Sequence, residues 1–263
     1  MTRSAHHAEE RLSRIVDLLA QQELASTAEL RELTGASEAT ARRDLDELER
    51  RGLLERTRGG ARRIKRDTTL DEAFERRRRR NARTKAALAA RAADLVPPGT
   101  AVFLNDGSTM FALAQELARR QFELAVATSA LNIAELLARY PTIDVTVIGG
   151  SLRRTSFGTI GPLATDAICT LHADIAFLGC DGFDTRQGIH SNSLNDAAVA
   201  RSFAEQADNT TVVADASKLG NRARAKILGW GNVDRLVTDT DDKPLRQSLA
   251  RNGTNTVQVA PAS

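Results

Sequence analysis

Two periodicities divide the chain. Up to Ala61, apolar side chains recur every three or four positions: Leu12, Ile15, Val16 and Leu19, then Ala41, Leu45 and Leu48, each set falling on one helical face. These sets predict amphipathic helices over 9–22 and from 38 onward. Between them Ser26 and Glu29 have the spacing of a capping box, which opens a helix over 27–33; Gly35 turns the chain, and Ser37 can cap the third helix. Gly52 stops that helix, and Leu53-Leu54-Glu55-Arg56-Thr57-Arg58-Gly59-Gly60 reads as a strand, a basic tip and a flexible turn. Past Pro97-Pro98-Gly99 the pattern changes to short apolar runs alternating with helical segments. Strands are expected over 101–104, 124–128, 145–148, 175–178, 211–214, 235–238 and 256–259, and helices over 110–119, 130–139, 162–171, 195–207 and 244–251. That alternation predicts an α/β fold with a mainly parallel sheet. The expected organisation is therefore a small winged helix-turn-helix over 1–61, a charged linker over 62–85 and a larger α/β domain over 86–263.

Helix, short glycine-containing turn and helix is an arrangement that enters a DNA major groove. With Ala41, Leu45 and Leu48 turned inward, the third helix presents Ala39, Thr40, Arg43 and Glu47 outward, and Arg42 stands beside them. Arginine can fork onto guanine, and threonine can touch a thymine methyl or a phosphate. Ser37, Ala39, Thr40, Arg42 and Arg43 are the candidate groove residues, and Arg56 and Arg58 the candidate phosphate contacts of the wing. A solvated helix beside an ordinary hairpin would show some of the same pattern.

Charge supports the first reading. The net charge is only +3, but residues 51–66 carry seven Lys and Arg against the single acid Glu55, a local cationic patch suited to a polyanion. The run Arg76 to Arg80 is expected as a solvated helix face or an added phosphate contact. Cys169 and Cys180 lie in apolar surroundings without metal-type spacing and are expected as buried thiols. No metal and no cofactor is expected. The stretch Met1 to Arg14 has no apolar run and no later segment approaches the ~18 apolar residues that span a bilayer, so a cytoplasmic protein that makes no membrane contact is expected.

In open parallel sheets ligands collect at the carboxyl ends of strands. The first strand of the α/β part ends in Asp106-Gly107-Ser108-Thr109 and runs straight into a helix. Glycine admits backbone approach, hydroxyls donate, and a helix N-terminus attracts anions. Similar polar or glycine-bearing ends follow at Thr128-Ser129, Gly149-Gly150, Cys180-Asp181-Gly182 and Asp215 to Lys218. Lys218 and the hydroxyls suit a phosphate, and Asp106 or Asp181 suits sugar hydroxyls.

The stretch from Glu10 to Ala61 resembles the winged helix-turn-helix of the DeoR family of bacterial transcription regulators, most specifically in Thr40-Ala41-Arg42-Arg43-Asp44-Leu45 and Gly59-Gly60-Ala61. The resemblance extends over nearly the whole chain, placing Phe74, Arg77, Asn81 and Lys85 in a recurring element and the strand-end loops in an effector domain similar in fold to ribose-5-phosphate isomerase. It implies a regulator, most simply a repressor of carbohydrate genes, that binds an operator as a homo-oligomer and responds to a phosphorylated sugar. The alternative is an isomerase or deaminase with a DNA-binding appendage. Against it, the segment from Gly182 to Arg201 holds no lysine to serve an enediolate, so no enzymatic activity is expected. An architectural DNA binder with a vestigial second domain is a third possibility.

Overall fold

A computed structural model describes residues 3–22, 24–51, 53–57, 59–63 and 69–260. The chain divides into two compact units at Thr68/Thr69.

The first unit runs α1 (Arg3–Gln21), β1 (Leu24–Ser26), α2 (Thr27–Thr34), α3 (Glu38–Arg50), β2 (Leu54–Thr57) and β3 (Gly60–Arg63). The predicted capping box at Ser26 and Glu29 is formed reciprocally, and Gly35 closes α2 in the left-handed conformation at φ 66°. Leu12, Ile15, Leu19, Leu30, Leu45, Leu48 and Leu54 make the core, so the helical spacing identified the buried faces. β1 is an unexpected element. It pairs antiparallel with β3, which pairs with β2, giving the order β1-β3-β2. A Cβ on Gly60 would lie 2.1 Å from the Ala25 carbonyl oxygen, so only glycine lets the two strands close there.

The second unit opens with α4 (Thr69–Arg79) and α5 (Ala82–Ala93), followed by β4 (Ala101–Leu104), α6 (Ser108–Arg119), β5 (Leu124–Thr128), α7 (Leu131–Leu137), β6 (Ile143–Val147), β7 (Ser151–Arg153), β8 (Gly158–Ile160), α8 (Pro162–Ile168) and β9 (Ala173–Leu178). Then come β10 (Gly182–Asp184), β11 (Gly188–Ser191), α9 (Leu194–Glu205), β12 (Ala207–Val213), β13 (Ala225–Leu228), β14 (Arg235–Thr238), α10 (Lys243–Arg251) and β15 (Asn255–Gln258). Seven strands form one parallel sheet in the order β15-β14-β12-β9-β4-β5-β6. All seven expected sheet strands are present, with ends shifted by a few residues. Because side chains alternate along a strand, Val102, Leu104, Ile175 and Phe177 pack into one apolar layer with Leu88, Leu113 and Leu117, while Phe103, Ala176 and Leu178 pack into the other with Ile168, Phe203 and Leu245. Helices thus cover both faces, which is why these strands read as continuous apolar runs.

Residues 69–79 and 82–85, expected as part of a charged linker, are instead helical, with Phe74 and Lys85 buried. The physical reason is Phe74, buried at 5% exposure and set edge-on against both Phe111 and Phe157. Arg77, one turn on, faces the same way, and its guanidinium donates to the Thr155 carbonyl, whereas Arg76, Arg78, Arg79 and Arg80 stay exposed. Cys169 is also exposed, as the residue that ends α8 beyond its apolar face; only Cys180 is a buried thiol.

Candidate functional site

Ser37 caps α3, its hydroxyl accepting from the Thr40 N–H and lying 2.9 Å from the Thr40 hydroxyl. Asp44, though charged, faces inward, where Arg11 of α1 grips both its oxygens at 2.9 and 3.1 Å and ties α3 to α1. The outer face carries Ala39, Arg42 and Arg43, all exposed. Arg42 pairs one turn back with Glu38 at 2.8 Å, and Arg43 makes no ion pair among the described residues. Glu47 marks the end of this cationic surface: bonded by Arg50 and Arg51, its carboxyl is pulled down to about 2. Arg56 on β2 is engaged within the unit, its guanidinium by Asp46 and its N–H by Glu49 at 3.0 Å. Arg58, the other wing candidate, lies outside the described residues.

In the second unit the chain winds outward from β4 through β5 to β6, then returns to the far side of β4 with β9 and winds outward the other way. The switch point is therefore the crevice between the carboxyl ends of β4 and β9, where a ligand is expected on topological grounds. Asn105 clamps these ends together, accepting from the Gly179 N–H at 2.8 Å and donating to the Gly179 carbonyl at 3.2 Å. Gly107 holds φ 119°, outside the range of L side chains, and α6 starts there without a side-chain cap among the described residues, its first turn lining the crevice. The Thr109 hydroxyl in that turn is buried and has no hydrogen-bond partner among the described residues.

Six of the sequence candidates line the resulting cavity of about 70 Å³: Asp106, Gly107, Ser108, Thr109, Asp181 and Lys218. Lys218 is aimed inward by a 2.6 Å bond to the Cys180 carbonyl, and Asp181 is fixed by the Ser191 hydroxyl at 3.2 Å and the Asn192 N–H at 2.7 Å. Thr128, Ser129, Gly149 and Gly150 are not brought to it. The Thr128 side chain accepts from the Ala130 N–H, and Ser129 supplies a carbonyl for Thr159; both are buried beneath the β7–β8 hairpin. Gly150 lets the chain pass Ile160, whose oxygen would sit 2.8 Å from an added Cβ.

Arg77, Arg153, Ser156 and Asp196 also line the cavity. No sequence pattern marked Arg153, Ser156 or Asp196, because the β7–β8 hairpin and the start of α9 reach the crevice only through tertiary packing. Arg77 had one legible signal, its one-turn spacing from Phe74. Asp196 is pushed up to about 6, by burial first and by Asp106 second, although Arg153 pairs with it. Burial also raises Asp106 above the usual carboxylate range, while the Ser156 hydroxyl and Arg153 oppose the shift. Burial drives the Cys180 thiol up to about 11, which makes it an inert wall. The α4–α5 corner closes the edge: Asn81, at φ 54°, donates to Asp215 at 3.1 Å, and Lys85 holds the Arg77 and Arg80 carbonyls.

The family model for the DeoR-like helix-turn-helix domain matches residues 11–67, and that for the DeoR C terminal sensor domain matches residues 80–240. This chain belongs to the DeoR family of transcriptional regulators. The HTH-type transcriptional regulator GlpR of Haloferax volcanii is 31% identical to this regulator over 94% of the chain and 96% of its own length. The glycerol-3-phosphate regulon repressor of Escherichia coli K12 is 29% identical over 86% and 88%. Ribose 5-phosphate isomerase A from Neisseria gonorrhoeae matches 52% of the chain and 53% of its own, at a TM-score of 0.40 and 18% identity, too distant to carry an argument about chemistry. Its relatives being transcription factors, this DeoR-family member is a DNA-binding regulator and not an enzyme.

Proposed function

We propose that this regulator represses genes of carbohydrate metabolism and releases its double-stranded DNA operator when a phosphorylated sugar or related metabolite fills the crevice between β4 and β9. The observation that carries the reading is the meeting there of an uncapped helix N-terminus, a glycine at φ 119° and the cations Arg77, Arg153 and Lys218. Such a seat favours a phosphate over a neutral sugar. In this reading Asp106 to Thr109 and Lys218 hold the phosphate and Asp181 meets sugar hydroxyls. Ser37, Ala39, Thr40, Arg42 and Arg43 address the groove, and Arg56 and Arg58 the flanking phosphates. Groove-reading helices act in pairs on half-sites, so the working form is a homo-oligomer, and it acts in the cytoplasm, where its operator is. A relative named for the glycerol-3-phosphate regulon gives the phosphorylated class further support.

The test is a thermal-shift comparison of glucose 6-phosphate, fructose 6-phosphate, ribose 5-phosphate and glycerol 3-phosphate with their unphosphorylated counterparts. A phosphate at a hundred times its Kd stabilises the folded state by about 2.7 kcal/mol. A neutral sugar that matches its own phosphate would refute the anionic effector.

A further inference from the structure

Arg153 and Asp196 come from separate elements, the end of β7 and the first turn of α9, and meet at the wall of the crevice. Asp196 is fixed from two sides. Its N–H donates to the Ser193 hydroxyl at 3.2 Å, and its Oδ2 takes the Arg153 guanidinium. The side chain is only 10% exposed, yet Oδ1 is buried without a hydrogen-bond partner among the described residues. A carboxylate oxygen is an acceptor only, and leaving one buried and unmet is costly, so such an atom on a residue that lines a ligand cavity asks for a donor.

We propose that Asp196 Oδ1, held in place by Arg153, accepts a hydroxyl of the effector's carbon chain, so that the pocket selects a polyhydroxylated phosphate ester over one without hydroxyls. This rests on the anionic-effector reading and adds what recognises the remainder of the molecule. The charge balance favours a hydroxyl over an ammonium donor. Asp106, Asp181 and Asp196 are already faced by Arg77, Arg153 and Lys218, so a neutral donor meets Oδ1 without disturbing the cations that the phosphate needs. The burial, and after it the neighbouring Asp106, that raise Asp196 to about 6 are offset by the same bond, since a hydroxyl donated to a carboxylate favours its charged form.

Calorimetry on the full chain at pH 7.5 with inorganic phosphate, ethyl phosphate, ribose 5-phosphate, glucose 6-phosphate and fructose 6-phosphate decides it. The wild type should bind at least one of the three sugar esters at least about tenfold more tightly than ethyl phosphate, the scale of one hydrogen bond to a charged group. Asp196→Ala should abolish that preference while ethyl phosphate and inorganic phosphate bind at least as tightly as to the wild type, because a carboxylate paired with Arg153 is removed from beside the anion. Asp196→Asn keeps the shape and guards against a misfolded alanine variant. Arg153 orients its amide oxygen and leaves an N–H facing the cavity, so the preference should drop by at least about threefold. An equal loss for ethyl phosphate and the sugar esters would make Asp196 a structural support and overturn the proposal. So would an undiminished preference in Asp196→Asn, or a wild type that binds ethyl phosphate as tightly as every sugar ester. Wild-type protein that binds none of the five removes the anionic-effector reading itself, and the proposal with it.

Discussion

Arg42, Arg43 and Arg56 stand within a short span of sequence, but their surroundings give them different work. Arg42 and Arg56 are held by Glu38 and Asp46, whereas Arg43 is exposed and makes no ion pair among the described residues. A free guanidinium on the outer face of α3 can fork onto a guanine without first breaking an intramolecular pair. Arg43→Ala is expected to cost about 1–3 kcal/mol on the operator and almost nothing on random DNA. Equal losses on both sequences in a fluorescence-anisotropy titration would reassign it to phosphate contact. Arg56→Ala should instead weaken binding to every sequence and loosen the first unit, because its side chain also ties β2 to α3. Asp196 makes a pH-dependent contribution of its own. Its folded-state value, about 6, lies above the ordinary 3.8, so the native state binds the proton more tightly than the unfolded chain does. That contribution is fully present below pH 4 and is lost as pH rises through 6, amounting to roughly 3 kcal/mol at most. The stability difference between wild type and Asp196→Asn, followed by urea unfolding from pH 4 to pH 7, should shift against the wild type as pH rises. A difference that stays flat would mean that Asp196 is not a desolvated carboxylate.

Among the elements, α3 and α6 both begin at a turn, and the chemistry of the two starts separates them. Ser37 caps α3 with its own hydroxyl, so the Thr40 N–H in the first turn is met by the protein. α6 starts at Gly107 with no such cap, which leaves its N–H groups for a ligand. A Cβ on Gly107 would meet nothing within 4 Å, so the constraint there is φ 119° and not lack of space. Gly107→Val is therefore expected to strain the loop by about 1–3 kcal/mol and to turn the α6 terminus away from the crevice. It should abolish the thermal shift given by whichever of the four phosphates stabilises the wild type most, while operator binding by the first unit persists. A retained shift in this variant would place the anion elsewhere.

For the molecule as a whole, regulation requires the pocket and the operator to favour different states, and the coupling must be reciprocal. If effector weakens operator binding about tenfold, operator must weaken effector binding about tenfold. α4 is the first described element after the helix-turn-helix unit in sequence, and it is tied to the pocket wall twice. Arg77 donates to Thr155, and Phe74 packs edge-on against Phe157 in the loop between β7 and β8 that also carries Ser156. Phe157 holds φ 60°, costly for a bulky residue and tolerated where surrounding packing fixes the loop. Phe74→Ala is expected to leave the affinity for the stabilising sugar phosphate within about threefold and to reduce its effect on operator binding at least about tenfold. Unchanged coupling in operator titrations with and without that sugar phosphate would exclude this path.

How much of this was legible in the sequence depended on the range of the forces involved. Local sequence signals settled the three helices of the first unit, the capping box at Ser26 and Glu29, and the strands of the parallel sheet, because each rests on contacts within a few residues or, for the five inner strands, on the two-sided burial that an apolar run records. The loop Asp106-Gly107-Ser108-Thr109 was legible for the same reason, its glycine and its helix start being neighbours in the chain. β1 was not, since three residues join a sheet only because Gly60 lets β3 close on Ala25. Nor was the packing of 69–85, where charge dominates the composition and a single buried phenylalanine outweighs it. Arg153, Ser156 and Asp196 reach the pocket, and Thr128, Ser129, Gly149 and Gly150 stay out of it, through the placement of the β7–β8 hairpin and α9 over the switch point. That placement is decided by long-range burial, which leaves no periodic trace at the residues it brings together.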